Sequence, residues 1–226
     1  VIFICNFGIT GLPQSNRVDS LSKRLSAVTE SREIINTGNL LASELRTTNA
    51  DSAIALAQKN LALAEKENYL FGIGTAYLCL SLANGTKSRY EISYDFAQKA
   101  LHLAELIKND SLKAYSLISI SSYHYNMGNY DIAIEKALAA LKIFDTRKDI
   151  TGILKTKVFM SQVYQLKNDV RKAESILQET LLLFPQISEA KIRINALHTL
   201  ANVYGMEGKF KEALELDSIG LAICEK

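Results

Sequence analysis

Leu117-Ile118-Ser119-Ile120-Ser121-Ser122-Tyr123-His124-Tyr125-Asn126-Met127-Gly128-Asn129-Tyr130-Asp131-Ile132-Ala133 is the stretch on which the fold of this chain turns. Leu117, Ile120, Ser121 and His124 stand at i, i+3, i+4 and i+7, one stripe of a helix. Gly128 can take the left-handed conformation that ends a helix. Asn129 can cap the next helix by accepting a backbone N–H. Ala133, Ala137, Ala140 and Leu141 then form the facing stripe of a second helix. Small residues where two helices meet let the backbones approach, and Leu, Ile and Met fill the space around them.

Stepping outward by forty residues finds the same arrangement again. Ala53, Ser93, Ala133, Ala173 and Ala213 are all small, and eight residues after each come Leu61, Leu101, Leu141, Leu181 and Leu221. With 31 leucines in 226 residues, five in register over all forty phases arise by chance about 2 times in 1,000, so a true repeat is the better account. Thirteen residues before each small position lie Leu40, Leu80, Ile120, Met160 and Leu200, followed by Leu41, Ser81, Ser121, Ser161 and Ala201. Asn49 and Asp169 occupy the cap position of Asn129 in the first and fourth units. A helix pair cannot bury its apolar face alone, so stacked pairs are expected: an all-α solenoid of about five repeats. The units run 34–73, 74–113, 114–153, 154–193 and 194–226, preceded by a helix or arm over 16–33 and an apolar leader over 1–15.

Leu200-Ala201-x-x-Tyr204-x-x-x-Gly208-x-Phe210-x-x-Ala213, and Met160-Ser161-x-x-Tyr164-x-x-x-Asn168-x-Val170-x-x-Ala173 with Pro185 closing the unit, resemble the tetratricopeptide signature. The third unit matches with His124 at the usual aromatic. The first two are degenerate, with Glu44 and Asn84 there and Thr48 and Ser88 at the glycine. The period is that of a long-helix variant; HEAT and armadillo repeats share it but lack the Tyr-x-x-x-Gly-x-aromatic-x-x-Ala string. The resemblance implies a non-catalytic scaffold whose first helices line a concave groove for a protein or peptide ligand. Carried over residue by residue, it nominates Tyr115, Ser122, Tyr125 and Asn126, then Lys155, Gln162 and Gln165, then Asn195, His198 and Asn202. Amides and lysine can bond a peptide backbone, and tyrosine offers rigid contact area. Solvation of an exposed helix face accounts equally well for each such residue taken singly. The corresponding Gly38, Ala42, Leu45, Leu78 and Leu82 are apolar and are expected to bury against the N-terminal arm or a partner. Tyr130, Tyr164, Tyr204 and Phe210 fall at packing positions and are expected in the core.

Val18-Asp19-Ser20-Leu21, Leu40-Leu41-Ala42-Ser43-Glu44-Leu45-Arg46 and Asn49-Ala50-Asp51-Ser52-Ala53 more loosely resemble exported sensor regions of bacterial signalling proteins. In those, a membrane helix and a histidine kinase or other output domain often follow. That places the chain in an exported, periplasmic or membrane-tethered setting, with a cytoplasmic one as the alternative. Val1 to Leu12 is apolar and uncharged, shorter than the roughly 20 residues a membrane helix needs, and similar to the end of a secretory signal. Pro13 beside a cleavage site and Ile4 before Cys5 both fit such signals poorly.

The remaining chemistry argues against other functions. Lys and Arg number 26 against 24 Asp and Glu, a net +2 without a clustered basic block, so nucleic acid is not the expected partner. Cys5, Cys79 and Cys224 form no CxxC pair. Gly72-Ile73-Gly74 lacks a third glycine, Tyr77 standing there, and no strand precedes it. His102, His124 and His198 lie in separate units without ligand spacing, so neither metal nor cofactor is expected. No nucleophile elbow or Cys/His constellation occurs. A structural spacer, or a dimer formed through an uncapped C-terminal repeat, is the competing reading.

Overall fold

The computed structural model describes residues 14–187 and 189–224, and side chains between 17 and 223 apart from residue 188. The expected leader falls almost wholly outside these residues, as does Cys5. Among the described residues there are eleven α-helices and no strand. α1 is Gln14–Ala27. Five pairs follow: α2 (Ser31–Leu45) with α3 (Ala50–Lys66), α4 (Leu70–Thr86) with α5 (Tyr90–Leu106), and α6 (Asp110–Asn126) with α7 (Tyr130–Arg147). α8 (Ile150–Leu166) pairs with α9 (Val170–Leu181), and α10 (Ala190–Met206) with α11 (Phe210–Cys224). This is the all-α solenoid of stacked helix pairs that the forty-residue period predicts. The unit limits drawn from the sequence fall about one turn inside each first helix. Ion pairs Arg17–Glu44 and Arg24–Glu33, each 3.1 Å, tie α1 to α2.

Seven of the turns close the same way, those between consecutive helices from α3 to α9 and that between α10 and α11; the α1–α2 and α2–α3 turns do not. At Asn68, Ser88, Lys108, Gly128, Lys148, Asn168 and Gly208 the backbone is left-handed, with φ from 49° to 78°. The next residue's N–H reaches back over the turn, as in Asn129 N to His124 O at 2.8 Å and Lys209 N to Tyr204 O at 2.9 Å. The left-handed residue's own N–H bonds three residues back, as in Gly128 N to Tyr125 O at 3.1 Å. Both bonds satisfy carbonyls that a helix end leaves orphaned. The joint therefore recurs every twenty residues, half the sequence period. It lapses after α9, where Leu183 leads into a 3-10 turn at Phe184–Gln186 with Pro185 inside it. Proline cannot continue a helix, so α9 is the shortest of the paired helices.

Side chains also cap the helices, though not always where expected. Asn49 Oδ1 accepts Ser52 N–H at 3.0 Å and Asp169 Oδ1 accepts Lys172 N–H at 3.1 Å. Asn109 and Asp149 do the same for Leu112 and Gly152. Asn129 makes no such bond, which corrects the expectation for it.

The core alternates small and large. Ala53, Ala133 and Ala173 are buried to 1% or less, and Leu80, Ile120, Met160 and Leu200 to 5% or less, with Met160 packed in one cluster with Ala133 and Leu200 in another with Ala173. Fully buried serines bridge helices: Ser81 Oγ meets Ser119 Oγ at 2.5 Å and Ser93 Oγ at 3.2 Å. At the N-terminal end Asn39 Nδ2 donates to Thr75 Oγ1 at 2.8 Å, and its Oδ1 accepts from Asn60 at 3.1 Å. The Cys79 thiol donates to the Asn39 carbonyl at 3.2 Å. Satisfied polar groups of this kind hold α2, α3 and α4 in one register.

Two expectations fail at the ends. Leu40 is 49% exposed while Leu41 is buried, because α2 is turned about its axis relative to the later first helices. Its buried stripe is Ile35, Gly38, Asn39 and Ala42. Phe210, expected in the core, is 67% exposed. Its counterparts Tyr130 and Val170 pack into hydrophobic clusters, whereas no helix among the described residues covers Phe210.

Candidate binding face

Consecutive first helices come close to one another: α2 to α4, α4 to α6, and α8 to α10. Among the described residues no second helix comes comparably near the next second helix. Closer spacing on one side than the other bends a stack toward the close side. The first helices therefore line the concave face.

The nominated residues lie on these helices, in α6, α8 and α10. Asn126, Lys155, Asn195, His198 and Asn202 are exposed, as is the edge of Tyr115, while Ser122, Tyr125, Gln162 and Gln165 are half-buried. Several are already engaged. Ser122 Oγ donates to the Ile118 carbonyl at 3.0 Å, and Asn126 Nδ2 donates to the Ser122 carbonyl at 2.7 Å. His198 Nδ1 lies 3.4 Å from Asp217 Oδ1 of α11. Tyr115 sits edge-on to Phe144 with centroids 5.1 Å apart. Burial first, then the charge and hydrogen bond of Asp149, push its phenol up to about 12. Tyr125 sits edge-on to Phe159 at 5.6 Å and is tilted to Tyr130 at 6.3 Å. The two tyrosines thus pack between helices with only part of each ring free. Gln165 Nε2 is buried with no hydrogen-bond partner.

Gly38 and Ala42 do not face the groove. A Cβ on Gly38 would strike the Asn60 side chain of α3 at 2.4 Å, and Ala42 packs with Ala57, Cys79 and Leu80. Their burial is against α3 and α4 rather than the N-terminal arm. Leu45, Leu78 and Leu82 are half-buried. In place of an amide the first pair brings Arg46, whose guanidinium is held below the usual arginine value chiefly by burial.

The forty-residue step from Asn126 leads to Leu166 and Met206, exposed at 48% and 53%. Sequence reasoning passed over both, although the step itself points to them. Among the described residues no three His, Cys, Asp or Glu side chains gather as metal ligands, and no helix is long and apolar enough to cross a membrane. Two depressions, along α11 and α5, are shallow and open.

No protein-family profile matches the chain. RNA polymerase-associated protein CTR9 of Saccharomyces cerevisiae is 29% identical over 136 residues, 59% of this chain and 12% of that protein's length. The fold is similar to that of BtubC (BKLC) from P. vanneervenii, with TM-score 0.69, 15% identity, and coverage of 94% of this chain and 91% of that one. A putative kinesin light chain of Podosopora anserina with TPR-like repeats gives 0.62 at 15% identity, over 87% and 97%. A Rap protein complexed with competence and sporulation factor gives 0.68 at 15% identity, over 95% and 60%. At these identities the likeness shows the fold, a TPR-like helical repeat.

Proposed function

We propose that this TPR-like array is a non-catalytic scaffold that holds an extended protein segment along its concave face. The observation that carries this reading is the run Lys155, Asn195, His198 and Asn202 exposed on one face of α8 and α10. Donors and amides in a row can bond a peptide backbone without dictating its side chains. The likeness to a Rap protein crystallised with a competence and sporulation factor supports a peptide or protein as the ligand. The same likeness, with the resemblance of the first helices to bacterial sensor regions, favours a role in signal transduction, the chain being the sensory or interaction part. Nucleic acid is not proposed as a ligand.

With the chain as bait, the triple variant Lys155→Ala, Gln162→Ala, Asn202→Ala should lose captured partner at least tenfold with an unchanged circular dichroism melt. Undiminished capture would show that the groove is not the site. A second reading, self-association, is favoured by Phe210, Leu214, Ile219 and Leu221 standing exposed on α11. Sedimentation would show a concentration-dependent dimer that Leu214→Asp abolishes. A strictly monomeric chain would remove that reading.

A further inference from the structure

The concave face is interrupted between α6 and α8. Three first helices present a residue to the first helix before them, at forty-residue steps: Cys79, Ser119 and Phe159. Where that residue is small, the backbones meet. The Cys79 thiol reaches the Asn39 carbonyl at 3.2 Å and Ser119 touches Ser81; α10 also lies close to α8. At Phe159 the ring meets the edge of Tyr125 instead, and α6 and α8 do not approach as the other pairs do. Interaxial distance follows the size of the side chains at the contact, so Phe159 acts as a wedge. Tyr125, Phe159 and Ile118 are half-buried along this seam. Aromatic edges and faces with free area are good anchors for an apolar side chain.

Charge gives the seam a preference. At the groove positions 115, 118, 122, 125 and 126 and their forty-residue equivalents there is no Asp or Glu, while Arg46, Lys155 and His198 occur there. Lys155 is exposed and lies on α8 one turn before Phe159.

Resting on the groove reading above, we infer that the ligand is an extended peptide that lays one bulky apolar side chain against the free edges of the Tyr125–Phe159 pair and places an acidic residue next to Lys155. Phe159 is then the specificity-determining residue: the groove would otherwise close as it does at the other first-helix contacts. Phe159→Ser removes the wedge, and Phe159→Leu keeps an apolar seam.

The test is selection of a randomised heptapeptide library on the immobilised full chain, followed by fluorescence polarisation of enriched peptides. The result expected is enrichment of Leu, Ile or Phe at one position with Asp or Glu adjacent. Replacing that apolar residue by Ala should weaken binding at least tenfold, as should Phe159→Ser, while Phe159→Leu stays within threefold of the parent. Both variants should unfold in one cooperative transition, with Phe159→Ser melting lower than the parent through lost packing and Phe159→Leu close to it. Peptides that bind the parent and Phe159→Ser equally, but are lost with the triple groove variant, would overturn the seam and leave the groove reading standing. Peptides insensitive to both variants, or none enriched, would overturn both.

Discussion

At the residue scale, what decides a substitution here is the space beyond it. A Cβ at Gly152 would lie 2.3 Å from the Phe144 ring, whereas one at Gly205 would meet nothing within 4 Å. Both glycines are helical. Gly205→Ala should therefore stabilise by about 1 kcal/mol through helix propensity, and Gly152→Ala should destabilise by about 1–3 kcal/mol through overpacking; urea midpoints check both. His124 offers a pH test. Its imidazole pKa is lowered, mainly by burial and then by Lys136, with Glu135 opposing; the rings of Tyr94 and Tyr123 also face it. The unfolded chain thus binds the proton more readily. Stability from this residue is present above pH about 6.5 and declines as pH falls through the unfolded value toward the folded one. His124→Tyr, which restores the side chain found at 164 and 204, should remove that part of the decline in melting temperature between pH 7.5 and 5.5. Such neighbours are hidden from sequence: a lone His and a helical Gly read alike whether crowded or free.

At the scale of elements, the pairs were legible because Ala and Leu recur in register, and burial of Ala53, Ala133 and Ala173 confirms why. The twenty-residue joint was not. Its left-handed residue is Asn, Ser, Lys or Gly according to the turn, so no single letter marks it. A Cβ strains that conformation, by roughly 1 kcal/mol. Ser88→Gly should then raise stability by about 0.5–1 kcal/mol, less than the full strain because glycine also loosens the unfolded chain. Calorimetry decides, and a lowered melting temperature would mean the turn is held by something other than its backbone. The turned α2 was equally illegible, since its register comes from Asn39 and Asn60 meeting, residues twenty-one apart whose pairing needs the fold. Nothing in the sequence singles out Phe159; only beside Cys79 and Ser119 at the equivalent contacts does its size matter.

For the molecule as a whole, a stacked array loses structure from wherever its neighbours are fewest. α11 carries exposed Phe210, Leu214 and Leu221, and the α9–α10 connection lacks the common joint. Hydrogen exchange should thus run fastest in α10 and α11 and slowest in α4 to α6, where the serine contacts lie; uniform exchange would mean one cooperative unit. The placement of the nominated residues on first helices was readable from the resemblance, but how closely those helices approach one another depends on contacts between residues about forty apart in the chain. The shared turn geometry bears on the chain's history as well. Splicing the chain from residue 68 directly to 109 deletes α4 and α5 together and joins α3 to α6 through a turn of the same left-handed kind. Duplication and loss of whole modules would ask for no newly invented linker.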